Sequence, residues 1–238
     1  MTTQIHSARN VPRYIQQNKI SVVICALNEE GNLKKVLPLI PDWVDEVVFV
    51  DGHSTDNTVK VAKSLCPKIR IFVQPGKGKG NALLYGLKMA KGDIIVTLDA
   101  DGATNPKEMH AFTKPLFRGC DFAKGTRLKF GRPTHMKWHR WFGNKILVYT
   151  ANILFQTNYT DICSGYNAFW KNKVKGIRCY SSSFEMEQEL YVKIKKMKLR
   201  VIEVPFKEER RYSGSSKVSD GTQGIKNLLI LLIERLRS

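Results

Sequence analysis

Residues 93–102 read Asp-Ile-Ile-Val-Thr-Leu-Asp-Ala-Asp-Gly, an apolar run that stops abruptly at two carboxylates. The run has the length and β-branched content of a buried strand. Asp99 and Asp101 then stand at its C-terminal tip, the edge at which open α/β sheets bind ligands. Two carboxylates so close repel each other unless a cation or a hydrogen-bond donor lies between them. Hard oxygen donors of this kind suit Mg²⁺ or Mn²⁺ carrying a diphosphate. A solvated Asp-Ala-Asp-Gly turn has the same letters, so the surrounding chain must discriminate.

Upstream, strand-like runs at 20–27, 46–50 and 69–73 alternate with helical segments at 33–40, up to residue 65, and at 81–90. Pro41 stops the first helix, and Ser54 or Asp56 can cap the second. Such alternation predicts βαβ units and an α/β fold with a mostly parallel sheet flanked by helices. Right-handed crossovers put the strand tips on one edge. Asn28, Asp51, Asp99 and the loop Gly76-Lys77-Gly78-Lys79-Gly80 should converge there. That loop is neither a Walker A nor a G-x-G-x-x-G sequence. A flexible turn is one reading of it; a backbone and lysine cradle for diphosphate is the other.

The second half is less regular. Helices are predicted at 106–117, 138–155 and 184–198, and strands at 122–125 and 199–204. A mixed turn and strand covers 161–170, and a polar segment covers 207–222. The chain divides into an arm at 1–18, one domain at 19–222 and a terminal amphipathic helix at 223–238. Within the domain, 19–105 reads as the nucleotide half and 106–222 as the acceptor half.

A net charge of +18 over 238 residues points to an anionic partner: nucleic acid, anionic lipid or a phosphorylated substrate. No nucleic-acid motif accompanies the charge, so a basic nucleic-acid-binding module is the weaker alternative. Cys25, Cys66, Cys120, Cys163 and Cys179 form no CxxC pair, which argues against zinc and fits reduced thiols in a cytosolic setting. The N-terminus has no apolar signal-peptide core. The longest apolar run, 228–233, is too short to span a bilayer. Ile225, Leu228, Leu229, Leu232, Ile233 and Leu236 recur at helical spacing with Lys226, Arg235 and Arg237 among them. That pattern fits an interfacial helix on anionic lipid and equally a core-packed helix. Trp138, Trp141 and Phe142 carry the same ambiguity. His135 and His139 read as surface residues, and Arg140 as either surface or phosphate ligand. Glu185, Glu187 and Glu189 read as mostly solvated at a helix start.

Four motifs occur in a telling order: Ala26-Leu27-Asn28-Glu29, Val50-Asp51-Gly52-His53-Ser54, Gly78-Lys79-Gly80-Asn81-Ala82 and Asp99-Ala100-Asp101-Gly102. They resemble family 2 glycosyltransferases with the GT-A fold. Lys124-Gly125-Thr126-Arg127, Asp161-Ile162-Cys163-Ser164-Gly165-Tyr166 and Arg211-Tyr212-Ser213-Gly214-Ser215-Ser216-Lys217 resemble its dolichol-phosphate mannosyltransferase-like, polyprenyl-phosphate branch. The resemblance covers roughly residues 20–235.

It implies a metal-dependent enzyme using Mg²⁺ or Mn²⁺ on Asp99 and Asp101, with Asp99 also near the ribose. It implies that Ala26, Asn28, Glu29 and Asp51 line the nucleoside pocket and that Lys79 meets the diphosphate. Arg127, Arg211 and Lys217 would hold phosphates, Ser164 would contact substrate, and Asp161 would sit beside the reaction centre. Gly52 stands where the family usually has a second acid, and Ala103 where the branch often has Gln.

The expected reaction is an inverting transfer of a hexose from a nucleotide sugar of the GDP-mannose or UDP-glucose type to a polyprenyl phosphate. The alternative acceptor is a soluble or glycan hydroxyl, with Asp161 as base. The resemblance further implies peripheral contact with an anionic membrane surface at its cytoplasmic face. Carrying the product across a bilayer would require a separate membrane subunit.

Overall fold

The computed structural model describes residues 17–66, 69–134, 136–214 and 220–237. Most of the expected N-terminal arm, together with His135 and Lys217, lies outside the described residues. Seven strands form one sheet in the order β3-β2-β1-β4-β6-β5-β7. They are β1 (Ile20–Ala26), β2 (Glu46–Asp51), β3 (Arg70–Val73), β4 (Ile94–Asp99), β5 (Phe122–Thr126), β6 (Asn167–Trp170) and β7 (Val201–Pro205). The pairs β1–β2, β1–β4, β2–β3 and β5–β7 are parallel. Strand β6 runs antiparallel between β4 and β5.

The central strands alternate strictly between two cores. Val22, Ile24, Val47, Phe49, Ile94 and Val96 face one side, while Val23, Val48, Val50 and Ile95 face the other. A sheet buried on both faces explains why these strands read as unbroken apolar runs. Leu33 and Val36 of helix α1 (Glu30–Val36) and Ala62 of α2 (Thr58–Leu65) cover the first face, with Met109 and Phe112 of α4 (Met109–Thr113). Helices α3 (Lys79–Met89), α5 (Trp138–Phe155), α7 (Met186–Lys196) and α8 (Asp220–Leu236) cover the second.

Proline accounts for the main departures from the expected elements. The helix expected at 33–40 begins at Glu30 and passes at Leu37–Leu39 into a 3₁₀ turn containing Pro38. The helix expected at 106–117 is broken into a 3₁₀ turn, α4 and a second 3₁₀ turn at Lys114–Arg118. Pro115 has no N–H to continue a helical ladder. The short α6 (Lys171–Val174) follows β6. The terminal helix starts at Asp220, before the expected residue 223.

Topology gathers the site. The register pairs Cys25 with Asp99 and Ala26 with Asp51, so the tips of β1, β2 and β4 are level. Because β6 is antiparallel, residues 161–166 enter it from that same edge. Strands β5 and β7 end there too, delivering Arg127 and then the segment 206–214.

Candidate functional site

A cavity of about 920 Å³ opens along this edge. Ala26, Glu29, Lys79, Asp99, Asp101, Arg127, Ser164 and Arg211 all line it, as expected from the motifs. Asn28, which is exposed, and the buried Asp51 and Asp161 do not line it.

The nucleotide side is a set of interlocked loops. Asn28 and His53 adopt left-handed backbone conformations, with φ of 52° and 70°. The Asn28 side chain accepts from the Thr55 N–H at 2.8 Å, and its own N–H donates to Ser54 Oγ at 2.9 Å. Asp51 Oδ2 accepts from the backbone N–H groups of His53 and Ser54, both at 3.1 Å. Its Oδ1 is buried without a partner, as is Oε1 of Gln74. Orphaned buried oxygens are uncommon and mark a place where a ligand can complete the bonding.

In the glycine loop, Gly78 has φ of 92°, and a Cβ there would lie 2.3 Å from the Ser182 carbonyl oxygen. Only glycine meets both demands. The loop therefore delivers Lys79 to the cavity at the start of α3. Lys79 Nζ lies 2.7 Å from Asp99 and 2.7 Å from Glu187. Burial works against its charge, yet Asp99 and Glu187 together hold its ammonium above the usual lysine range. Gly165 makes room for this cluster: a Cβ there would lie 2.9 Å from both Asp99 Oδ2 and Lys79 Nζ.

Arg211 closes the other flank. It donates to Asp101 at 2.8 Å and to both Glu29 oxygens at 2.7 and 2.8 Å. Asn32 and Ser213 exchange bonds that fasten the same segment, and the Tyr212 ring packs on Gly102. Burial, and then Asp99, push the Asp101 carboxyl above its ordinary range, against the Ala103 N–H and Arg211. Two carboxylates under mutual strain are the donor set that a small divalent cation relieves. Among the described residues no cluster of three His, Cys, Asp or Glu side chains could hold a metal. The pair thus fits Mg²⁺ or Mn²⁺ if diphosphate oxygens and water complete the shell, as these ions commonly require.

The acceptor side differs from expectation at two acids. Asp161 is fully buried and clamped by Arg127, with Nε at 2.7 Å and Nη2 at 3.0 Å. Burial alone would raise its carboxyl, but the guanidinium pulls it down to about 2. Buried and ion-paired, Asp161 does not line the cavity. Its geometry is that of a positioning residue, aiming Arg127 into the cavity with Glu208 at 3.0 Å on Nη1. Glu187 and Glu189, expected to be solvated, are buried. Glu189 caps the backbone N–H groups of Tyr180 and Ser181. Burial raises the Glu187 carboxyl; Lys79 opposes this and Asp99 adds to it. A signal for Glu187 was present: it shares the i, i+3, i+4, i+7 stripe of Leu190, Tyr191 and Ile194, the buried face of α7. Arg140 and the exposed His139 also line the cavity.

The wall from α5 and α8 mixes polar side chains, Asn144, Gln223 and Asn227 among them, with apolar ones. Ile146 and Leu147 of α5 and Leu228 of α8 line the cavity there. The terminal helix is divided: Ile230 and Leu231 are buried, while Ile225, Leu229, Leu232, Ile233 and Leu236 are exposed. Trp138 and Phe142 are also exposed.

Residues 21–178 match the sequence pattern described as "Glycosyl transferase family 2". A dolichol-phosphate mannosyltransferase from Pyrococcus furiosus is 30% identical over 214 residues, which is 86% of this chain and 60% of that protein. Glycosyltransferase AglJ from Haloferax volcanii is 28% identical over 198 residues, 81% of this chain and 65% of that protein. The chain thus spans less than two thirds of either relative. Among solved structures, glucosyl-3-phosphoglycerate synthase from Mycobacterium tuberculosis, in complex with Mn²⁺, UDP and glucosyl-3-phosphoglycerate, superposes with a TM-score of 0.72. It is 21% identical, covering 93% of this chain and 81% of that one, a likeness of fold. The matched stretch includes the loops after β1, β2 and β3 together with Asp99 and Asp101, and on that ground the chain belongs to glycosyl transferase family 2.

Proposed function

We propose that this enzyme moves a hexose from a nucleotide sugar to a polyprenyl phosphate in a single inverting displacement at the cytoplasmic face of a membrane. The carrying observation is the shared cavity: Asp99, Asp101, Lys79 and Arg211 line it together with Arg127, Arg140 and the apolar side chains Ile146, Leu147 and Leu228. Residues 19–105 would bind the donor and 106–222 the acceptor. Asp51 and Gln74 would receive the base, and Asn28 would hold the loops around it. Lys217 would add a phosphate contact.

Asp99 and Asp101 would hold the divalent ion, which when bound stabilises negative charge on the departing diphosphate. Lys79 and Arg211 would exchange carboxylate partners for diphosphate oxygens, placing fixed positive charge where charge develops. Arg127, held by Asp161, and Arg140 would bind the acceptor phosphate. An oxygen of that phosphate forms the new bond to the anomeric carbon as the bond to the diphosphate breaks. The attacking oxygen is already anionic, so no base is needed, in keeping with the buried, ion-paired Asp161.

A second reading, a hydroxyl acceptor, is favoured by Glu187. It is a carboxylate that lines the cavity, as Asp161 does not, and so could reach the hydroxyl of an acceptor bound there.

Calorimetry with GDP-mannose and UDP-glucose, with and without Mn²⁺, tests the donor. One donor should bind in a metal-dependent way and Asp101→Ala should abolish the metal dependence. Consumption of a prenyl phosphate by Glu187→Gln at a rate near wild type supports the phosphate acceptor; activity only on hydroxyl compounds would overturn it.

A further inference from the structure

The loop after β2 carries a side chain where glycine would be the easier residue. His53 has φ of 70°, a left-handed conformation that a Cβ disfavours. Glycine stands one position earlier, at Gly52, outside that region of backbone space. A Cβ on Gly52 would lie 3.1 Å from the Ala26 carbonyl oxygen and 3.2 Å from Gln74 Nε2. Room is kept at Gly52, and the conformational strain falls on His53. Strained residues persist where the surroundings hold them, and they cluster at ligand sites. Asp51 Oδ2 accepts from the His53 N–H at 3.1 Å, and ring Nε2 lies 3.1 Å from the Gly76 carbonyl oxygen. His53 is exposed and lines the cavity.

The ring's bond to Gly76 sets its chemistry. A carbonyl oxygen only accepts, so Nε2 carries the hydrogen and Nδ1 of the neutral ring is left to accept. Among the described residues the ring has no second hydrogen-bond partner. An acceptor nitrogen suits a hydroxyl and not a diphosphate oxygen, which has no hydrogen to give. The place of the ring agrees. Gly52 and Gln74, the latter with an orphaned buried oxygen, line the cavity on the base side, while Lys77 and Lys79 line it on the diphosphate side. His53 links these two segments, the first through the chain and the second through Gly76. In a nucleoside diphosphate the ribose links base to diphosphate in the same way. We propose that His53 Nδ1 accepts a hydrogen bond from a ribose hydroxyl of the donor nucleotide, so that His53 selects the sugar of that nucleotide. This rests on the reading that the donor is a nucleotide sugar with its base at Asp51 and Gln74 and its diphosphate at Lys79.

Calorimetry of the full chain with Mn²⁺ tests it, comparing GDP and UDP with their 2′-deoxy and 3′-deoxy forms. The wild type should bind one deoxy form about 3–10-fold more weakly than the matching ribonucleotide, the worth of one hydrogen bond. His53→Gly should bind the ribonucleotide more weakly by that factor and the deoxy form as wild type does, so that the preference disappears. Glycine relieves the strain at this φ, and the variant should melt within about 3 °C of wild type. His53→Asn should lose the preference as well; it also tolerates positive φ and covers the case in which glycine loosens the loop. A wild type indifferent to both hydroxyls would overturn the ribose contact. So would variants that weaken every form equally, as a mere clamp on the glycine loop would. Either result leaves the donor reading standing. Binding of neither ribonucleotide to the wild type would sink the donor reading, and the ribose contact with it.

Discussion

The two sides of the cavity solve opposite problems. On the nucleotide side the cavity cations Lys79 and Arg211 are paired within the chain: Lys79 with Asp99 and Glu187, Arg211 with Asp101 and Glu29. These pairs sit on level tips of parallel strands and resemble a site preset for an anionic ligand and a cation. On the acceptor side Arg127 is fixed from behind by Asp161, and Ile146, Leu147 and Leu228 bring apolar surface to the wall formed by α5 and α8. One side is organised by electrostatics within the fold. The other leaves apolar area that the fold itself does not bury.

The sharpest test of this contrast is Asp161→Ala. Removing one partner of a buried pair should cost about 3–5 kcal/mol in urea denaturation. Replacing both, as Arg127→Met/Asp161→Leu, should cost less; an equal loss would make the pair a packing element alone. Asp101→Ala should lower turnover about 10²–10³-fold while the chain stays folded. A stability loss of matching size would move Asp101 from the site to the framework. Gly78→Ala should cost roughly 1–3 kcal/mol, since a side chain at that positive φ meets the Ser182 carbonyl.

Acid titration reads Asp161 again. Its carboxyl is lowered in the fold, from an ordinary 3.8 to about 2, so it stabilises above 3.8 and that contribution disappears as pH falls toward 2. The loss should be about 2 kcal/mol and should be absent in Asp161→Asn. The smallest effect belongs to the outer face, where Ile153 is exposed: Ile153→Ser should change folding stability by less than about 0.5 kcal/mol. A larger loss would mean that α5 needs Ile153 for its own packing.

The nucleotide side was legible because its signals are local. Each strand ends in a carboxylate or a polar loop within a few residues, and period-two burial on both faces gives a continuous apolar run. Helix 138–155 was legible to the residue. Its outward stripe was not, because Trp138 and Phe142 have the same letters whether they meet a core or a lipid. Glu187 was misread because acids before lysines along a helix satisfy the dipole whether exposed or buried. Asp161 was assigned beside the chemistry from its motif, whereas its low basicity depends on Arg127, thirty-four positions away in sequence.

By itself, the sequence determined the α/β alternation, the shared edge of strand tips and the motif order that belongs to a glycosyltransferase. Those are properties of short segments, set by backbone conformation and by the period of burial. Only the tertiary structure decided which acids are buried, which cations hold them and which apolar stripes remain exposed. Charge pairing and burial depend on neighbours brought together across the fold, and one segment's composition does not specify those neighbours.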